Sequence, residues 1–164
     1  MPFDYTLAFD STNFRKQPEL YRVGKGEQGV LLVEPYKSEI LPFWRFKTPE
    51  IALESSEKIY LLFLGYLEKK DFVGADMARK FLQMGFTRAR RYANHKSGRK
   101  FKYNPQNEAD KESEKIARDK YLLPNEIDEV KAAAAEIFKE KWMQAKQNQH
   151  YQELMAEHKR KYGI

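Results

Sequence analysis

Apolar residues recur at intervals of three and four from residue 49 onward, which is the spacing of amphipathic helices. A first helix is predicted to begin at Thr48-Pro49, a threonine N-cap followed by proline at the first helical position, and to end near Lys70. Asp71 is then expected to cap a second helix that reaches Asn94. The pattern therefore predicts two helices joined by a short turn, with their apolar faces in contact.

Two further helices are predicted in the last 40 residues. Asn125 is the expected N-cap of the third, whose periodic positions are Ile127, Val130, Ala134, Ile137, Phe138, Lys141 and Ala145. The fourth is marked by Tyr151, Leu154, Met155, His158 and Tyr162, and Gly163 is its expected end. The polar stretch between residues 104 and 123 is interpreted as a variable loop or linker.

The first 47 residues lack the helical period. The apolar run GVLLV at 29–33 is bounded by Glu34-Pro35 and predicts a short strand or hairpin, while LPFWRF at 41–46 is expected to lie across the core. The expected fold class is therefore α+β and mainly helical: a single domain over residues 1–164, with an irregular N-terminal segment and about four helices.

Positive charge is concentrated in one part of the chain. The 164 residues include 30 Lys and Arg against 24 Asp and Glu, a formal net charge of +6. Nine of the basic residues and no acidic residue lie between positions 77 and 107, so the remaining 21 basic and 24 acidic residues carry a net charge of −3. Such a concentrated patch is typical of a surface that binds polyanions.

Four of these nine basic residues fall on one face of the second predicted helix, opposite an apolar face that includes Arg88 as its one charged residue. We expect the basic face to be exposed, with arginine and lysine contacting phosphates and Gln83 and Asn94 contacting bases. A merely solvated basic face is the alternative. The predicted nucleic-acid-binding residues are Arg79, Lys80, Gln83, Thr87, Arg90, Arg91 and Asn94 on the helix and Lys96, Arg99, Lys100 and Lys102 in the loop that follows.

Gly85 lies within the apolar face of the same helix. Glycine there costs about 1 kcal/mol of helix propensity relative to alanine, which predicts that a neighbouring helix or a bulky ring approaches closely. The helix after Thr48 and the aromatic segment 41–46 are the expected neighbours.

Catalytic and metal-binding patterns are largely missing. GKGEQG at 24–29 matches G-x-G-x-x-G, but a strand-like run follows it where a dinucleotide-binding fold needs a helix, so we interpret it as a glycine-rich turn. There is no cysteine, and the three histidines show no paired metal-ligand spacing. We expect no catalytic residue, metal or cofactor, and take Glu27, Glu34 and Glu39 as the best candidates for an unrecognised carboxylate site.

No segment has the pattern of a signal peptide or of a membrane span. The most apolar window, residues 59–67, is too short to cross a bilayer. We therefore expect no membrane association and a cytoplasmic location.

The chain resembles an uncharacterised protein family, a domain of unknown function found in tailed phages and in cellular genomes. The resemblance rests on residues 14–52, which include ELYRVGKGEQG and FWRFKTP, on residues 71–98, on the helix at 130–145 and on the closing HKRKYG. Residues 103–124 depart from it. The resemblance implies a domain that spans the whole chain and a phage origin, hence action in a host cytoplasm, and it brings no catalytic residues.

Three functional hypotheses follow. The first is a non-catalytic protein that binds DNA or RNA through the basic helix and the basic loop after it. The alternative is a protein-interaction module whose basic face engages an acidic partner protein. The third is a small enzyme with a carboxylate or phosphate site near the glycine-rich turn.

Overall fold

A computed structural model describes residues 1–95, 101–123 and 127–164, and the regular elements in these ranges are helices. Six are α-helices: α1 Tyr36–Ile40, α2 Pro49–Glu68, α3 Phe72–Asn94, α4 Lys111–Lys120, α5 Glu129–Gln147 and α6 Gln149–Tyr162. Short 3₁₀ turns lie at Phe9–Ser11, Pro18–Leu20, Leu41–Phe43 and Pro105–Asn107.

The predicted α+β class is wrong, because the described residues contain no strand and only one isolated bridge, between Phe101 and Leu122. Residues 29–33 form turns in which the amide of Leu32 bonds to the carbonyl of Gly29 at 3.0 Å. Val30 and Val33 enter the core, and no other segment of the described ranges pairs with this one as a strand. The apolar run reflects burial, which a turn provides as well as a strand does.

Side-chain caps fix where the long helices begin. Thr48 and Asp71 accept hydrogen bonds from the first-turn amides of α2 and α3, so both predicted caps are confirmed. Asp128 is the N-cap of α5, whereas the predicted cap Asn125 lies outside the described residues. Gly163 ends α6 with φ 68°, in the left-handed conformation that glycine adopts at low cost.

Helices α2, α3 and α5 pack against one another, and α6 packs against α3 and α5. The N-terminal segment before α1 crosses these helices and contributes Phe3, Phe14, Tyr21, Val30 and Val33 to the same hydrophobic core. Helix α3 is thereby covered on several sides, which decides the exposure of its basic residues.

The segment 104–123, predicted as a variable loop or linker, contains helix α4. Asp110 caps this helix by accepting from the amide of Ser113, and most of its residues are exposed. The segment is therefore partly ordered into a helix, although its apolar spacing is poor.

Gly85 is buried against a ring, as the sequence predicts, but the ring belongs to α5. A Cβ added at Gly85 would lie 2.3 Å from Cδ1 of Phe138, far closer than atoms can approach. Glycine at this position allows α3 and α5 to pack at short range.

Replacing Gly85 by alanine is expected to destabilise the protein by about 1 to 3 kcal/mol, because the overpacking of Phe138 exceeds the gain in helix propensity. Gly65→Ala is the matched control, since Gly65 is helical and its added Cβ would meet nothing within 4 Å. That control should stabilise by up to about 1 kcal/mol. Urea unfolding measures both, and equal stabilisation by the two changes would contradict the close packing at Gly85.

Candidate functional site

A buried carboxylate, Asp76, lies in the first half of α3 and is fully enclosed. It accepts hydrogen bonds from the hydroxyls of Tyr21 and Tyr151, which come from the N-terminal segment and from α6. The guanidinium of Arg79 donates to it at 2.7 and 3.0 Å, and Nζ of Lys80 lies 3.9 Å away. Asp76 thus ties three parts of the chain together.

The charges in this cluster stabilise one another. Burial alone would raise the pKa of Asp76, but the positive charges of Arg79 and Lys80 and the two tyrosine hydroxyls hold it below its usual value. Burial lowers the pKa of Lys80 to about 8, although the neighbouring carboxylate opposes that shift. At neutral pH the cluster therefore contains two cations and one anion.

The surplus positive charge is directed at the glycine-rich turn. Nη1 of Arg79 donates to the carbonyl of Gly26 at 2.6 Å, and Nζ of Lys80 donates to the carbonyl of Gln28 at 2.7 Å. The ammonium of Lys80 also lies over the ring of Tyr21, 4.8 Å from its centroid. The turn at 24–29 therefore covers this part of α3 and is held there by these hydrogen bonds.

Backbone amides of this turn are occupied as well. Those of Lys25 and Gln28 bond within the turn, and that of Val30 bonds to the carbonyl of Glu27. These three N–H groups are not free to hold a phosphate, which weakens the interpretation of the turn as a phosphate cradle.

The expectation that Arg79 and Lys80 are exposed is wrong. Arg79 is 7% exposed and Lys80 is fully buried, because the N-terminal segment covers the first half of the basic face. The spacing did contain a signal for this, since Asp76 precedes them by three and four residues, the separation at which helical side chains pair. The acid-free range 77–107 begins one residue after Asp76, so the charge count for that range does not include this carboxylate.

Gln83 and Thr87, two further predicted contact residues, lie half-buried at the border of the covered region. Gln83 accepts a hydrogen bond from Arg79 at 2.8 Å. Thr87 donates to the carboxylate of Glu27, which burial gives a raised pKa although Arg88 and Arg91 oppose the shift. Glu27 thus places a carboxyl group beside the arginines of α3.

The second half of the basic face emerges from under the turn. Arg91 is exposed, and Arg90 and Asn94 are partly exposed. Arg88, which was expected on the apolar face, is also partly exposed and lies one helical turn before Arg91. No carboxylate of the described residues forms an ion pair with Arg88, Arg90 or Arg91. We call this group of four residues the arginine face.

An aromatic cleft lies beside the arginine face. Phe46 and Tyr92 place their ring centroids 6.0 Å apart, and with Lys47 and Lys131 they line a cavity of about 280 Å³. Nζ of Lys131 donates to the carbonyl of Lys47 at 3.3 Å, which joins α5 to the residues before α2. The amide of Asp128 donates to the carbonyl of Ala93 at 2.7 Å, which fixes the start of α5 next to the end of α3. The sequence pattern gave no sign of this cleft, because its residues are up to 85 positions apart.

Of the predicted loop residues, Lys96, Arg99 and Lys100 lie outside the described residues. Lys102 is exposed, its backbone amide donates to the carbonyl of Tyr121 at 2.7 Å, and its ammonium lies over the ring of Tyr103. The contribution of this loop to binding stays a prediction.

The three candidate carboxylates do not converge. Glu27 contacts Thr87, Glu34 accepts from Ser38, and Glu39 pairs with Arg15. No cluster of three or more His, Cys, Asp or Glu suited to a metal occurs in the ranges 1–95, 101–123 and 127–164.

The chain belongs to the family described as Domain of unknown function (DUF4385), whose model matches residues 4–161. The predicted resemblance to an uncharacterised family is therefore confirmed. No curated protein and no solved structure shows significant similarity to the chain. Within the described ranges, no helix combines the length and the apolar character needed to cross a membrane.

Asp76→Asn should destabilise the protein by about 3 to 5 kcal/mol, because Arg79 and Lys80 would be left buried without their counter-charge. Glu114→Gln is the control: it removes the exposed partner of Arg118, and a loss below about 1 kcal/mol is expected. Chemical denaturation at neutral pH compares them. Similar small losses would show that the buried cluster is not required for folding.

Proposed function

We propose that this DUF4385 protein is a non-catalytic nucleic-acid-binding protein that acts through the arginine face and the basic segment after it. The observation that carries the proposal is a set of solvent-accessible arginines, Arg88, Arg90 and Arg91, that form no ion pair with a carboxylate of the described residues. Planar guanidinium groups bind phosphate oxygens in pairs, so phosphates can satisfy these side chains.

The aromatic cleft favours a single-stranded nucleic acid as the ligand. Tyr92 is 38% exposed beside Lys47 and Lys131, so an unpaired base can stack on its ring while the lysines contact the adjacent phosphates. The buried pair Arg79 and Lys80 no longer forms part of the proposed surface. Arg90, Arg91 and Asn94 remain in it, and Lys96, Arg99, Lys100 and Lys102 extend it as a sequence-based prediction.

Arg90→Ala combined with Arg91→Ala should weaken binding of a fluorescent single-stranded oligonucleotide and lower the salt dependence of the affinity. Loss of two phosphate contacts should reduce the slope of log affinity against log salt by about 1.4. Fluorescence anisotropy at several salt concentrations measures both quantities. The melting temperature should change little, because surface substitutions usually alter stability by less than about 0.5 kcal/mol.

Lys159→Ala combined with Arg160→Ala is the matched control. It removes the same charge from exposed positions at the far end of α6, so the slope should stay near that of the parent. Equal losses in the two double variants would show that only net charge matters. If the parent protein binds polyglutamate as tightly as the oligonucleotide, that result would favour the alternative hypothesis of an acidic protein partner.

Glu27→Gln should strengthen oligonucleotide binding about two- to fivefold, because it removes the carboxylate nearest the arginine face and keeps an acceptor for Thr87. Glu19→Gln makes the same charge change at an exposed position of the N-terminal segment and should have a smaller effect. The anisotropy titration compares them, and unchanged affinity after Glu27→Gln would argue against phosphate near Glu27.

A further inference from the structure

A second cavity lies at the opposite end of α3, where α2 turns into α3 and the last turns of α6 pack across the junction. Its volume is about 450 Å³, within the range of pockets that hold small organic ligands. Phe72, Val73, Leu154 and Tyr162 give it apolar walls. It is separate from the arginine face, because the 23 residues of α3 span about 33 Å.

Three lysines from two elements meet at this cavity. Lys69 and Lys70 come from the turn after α2, and Lys161 comes from the end of α6. No ion pair joins any of them to a carboxylate within the described part of the chain. Amino groups on flexible stems at one cavity are a common arrangement for binding phosphate.

The other charged groups of the cavity largely satisfy one another. Arg15 pairs with Glu39 at 2.8 Å and lies 3.6 Å from Asp71. Asp71 also accepts from the hydroxyl of Tyr36 and from the amide of Gly74, so it occupies the start of α3 itself. Glu157 is the remaining carboxylate, and the lining residues together carry more positive than negative charge.

His158 supplies a buried polar group to the same cavity. It is 6% exposed, and its Nε2 lies 2.8 Å from the carbonyl oxygen of Tyr21, which can only accept a hydrogen bond. Nε2 must therefore carry the proton, which leaves Nδ1 able only to accept a hydrogen bond. The described residues donate no hydrogen bond to Nδ1.

We propose that this cavity binds a small organic phosphate, with Lys69, Lys70 and Lys161 around the phosphate group and the apolar body of the ligand against Phe72 and Tyr162. His158 lines the same cavity, so its ring signals report on occupancy. The mixed lining distinguishes this ligand from a bare inorganic anion, because inorganic phosphate would leave the apolar walls uncovered.

Phenyl phosphate is the probe, titrated by calorimetry and by the NMR signals of the His158 ring. It should bind more tightly than both inorganic phosphate, which lacks the ring, and phenol, which lacks the charge. Saturable binding with that order supports the proposal. No saturable binding of phenyl phosphate at millimolar concentration, or an affinity no greater than that of inorganic phosphate, would overturn it.

Lys70→Gly separates binding from folding. Lys70 has φ 56°, in the left-handed region where glycine is unstrained, so this variant should fold at least as stably as the parent. It should nevertheless bind phenyl phosphate about fivefold more weakly, as should Lys161→Ala, because each removes one cation from the phosphate group.

Lys159→Ala is the control for Lys161→Ala. Lys159 is an exposed lysine on the same helix that does not line the cavity, and its loss should leave the affinity nearly unchanged. If Lys159→Ala weakens binding as much as Lys70→Gly and Lys161→Ala, the probe responds to the general surface charge and the proposed site is wrong.

Discussion

The carboxylate of Asp76 is the constraint on which the arrangement of this protein depends. Moving an ion from water into a protein interior costs several kcal/mol, so a buried carboxylate persists only when its surroundings satisfy it completely. Here those surroundings are two tyrosine hydroxyls and two cations. Because Tyr21 and Tyr151 are 130 residues apart in the chain, satisfying one charge fixes both the N-terminal segment and α6 on α3.

The same charge balance determines which part of α3 faces the solvent. One anion cannot neutralise both Arg79 and Lys80, and the carbonyl oxygens of Gly26 and Gln28 supply further acceptors. The glycine-rich turn therefore closes over the first half of the basic face. Thr87 is the last residue of α3 that hydrogen-bonds to the turn, through Glu27. The arginines that follow Thr87 have no such carbonyl acceptors among the described residues. The basic residues of α3 thus divide into two groups. Arg79 and Lys80 are buried and hold the turn in place, whereas the arginines after Thr87 are accessible to solvent.

Features of the sequence that act locally predicted the structure well. Thr48 and Asp71 cap helices because their side chains reach amides only three residues away, and Gly85 marks a close contact because any Cβ would collide. The identity of the ring at Gly85 was not predictable, since Phe138 is 53 residues away. The burial of Arg79 and Lys80 depends on equally distant carbonyls, and the run at 29–33 has the same apolar pattern whether it forms a turn or a strand.

The two basic regions at the ends of α3 differ in physical character. At physiological ionic strength the Debye length is about 8 Å, so charges separated by most of the roughly 33 Å length of α3 scarcely influence one another through solvent. The arginine face is open, and the polyanion binding proposed for it would depend on counterion release and therefore on salt. In the cavity at the α2 to α3 turn, the apolar walls would add to the proposed ligand binding a contribution that salt does not screen. Salt dependence therefore distinguishes ligands of the two regions, even though lysine and arginine carry the charge in both.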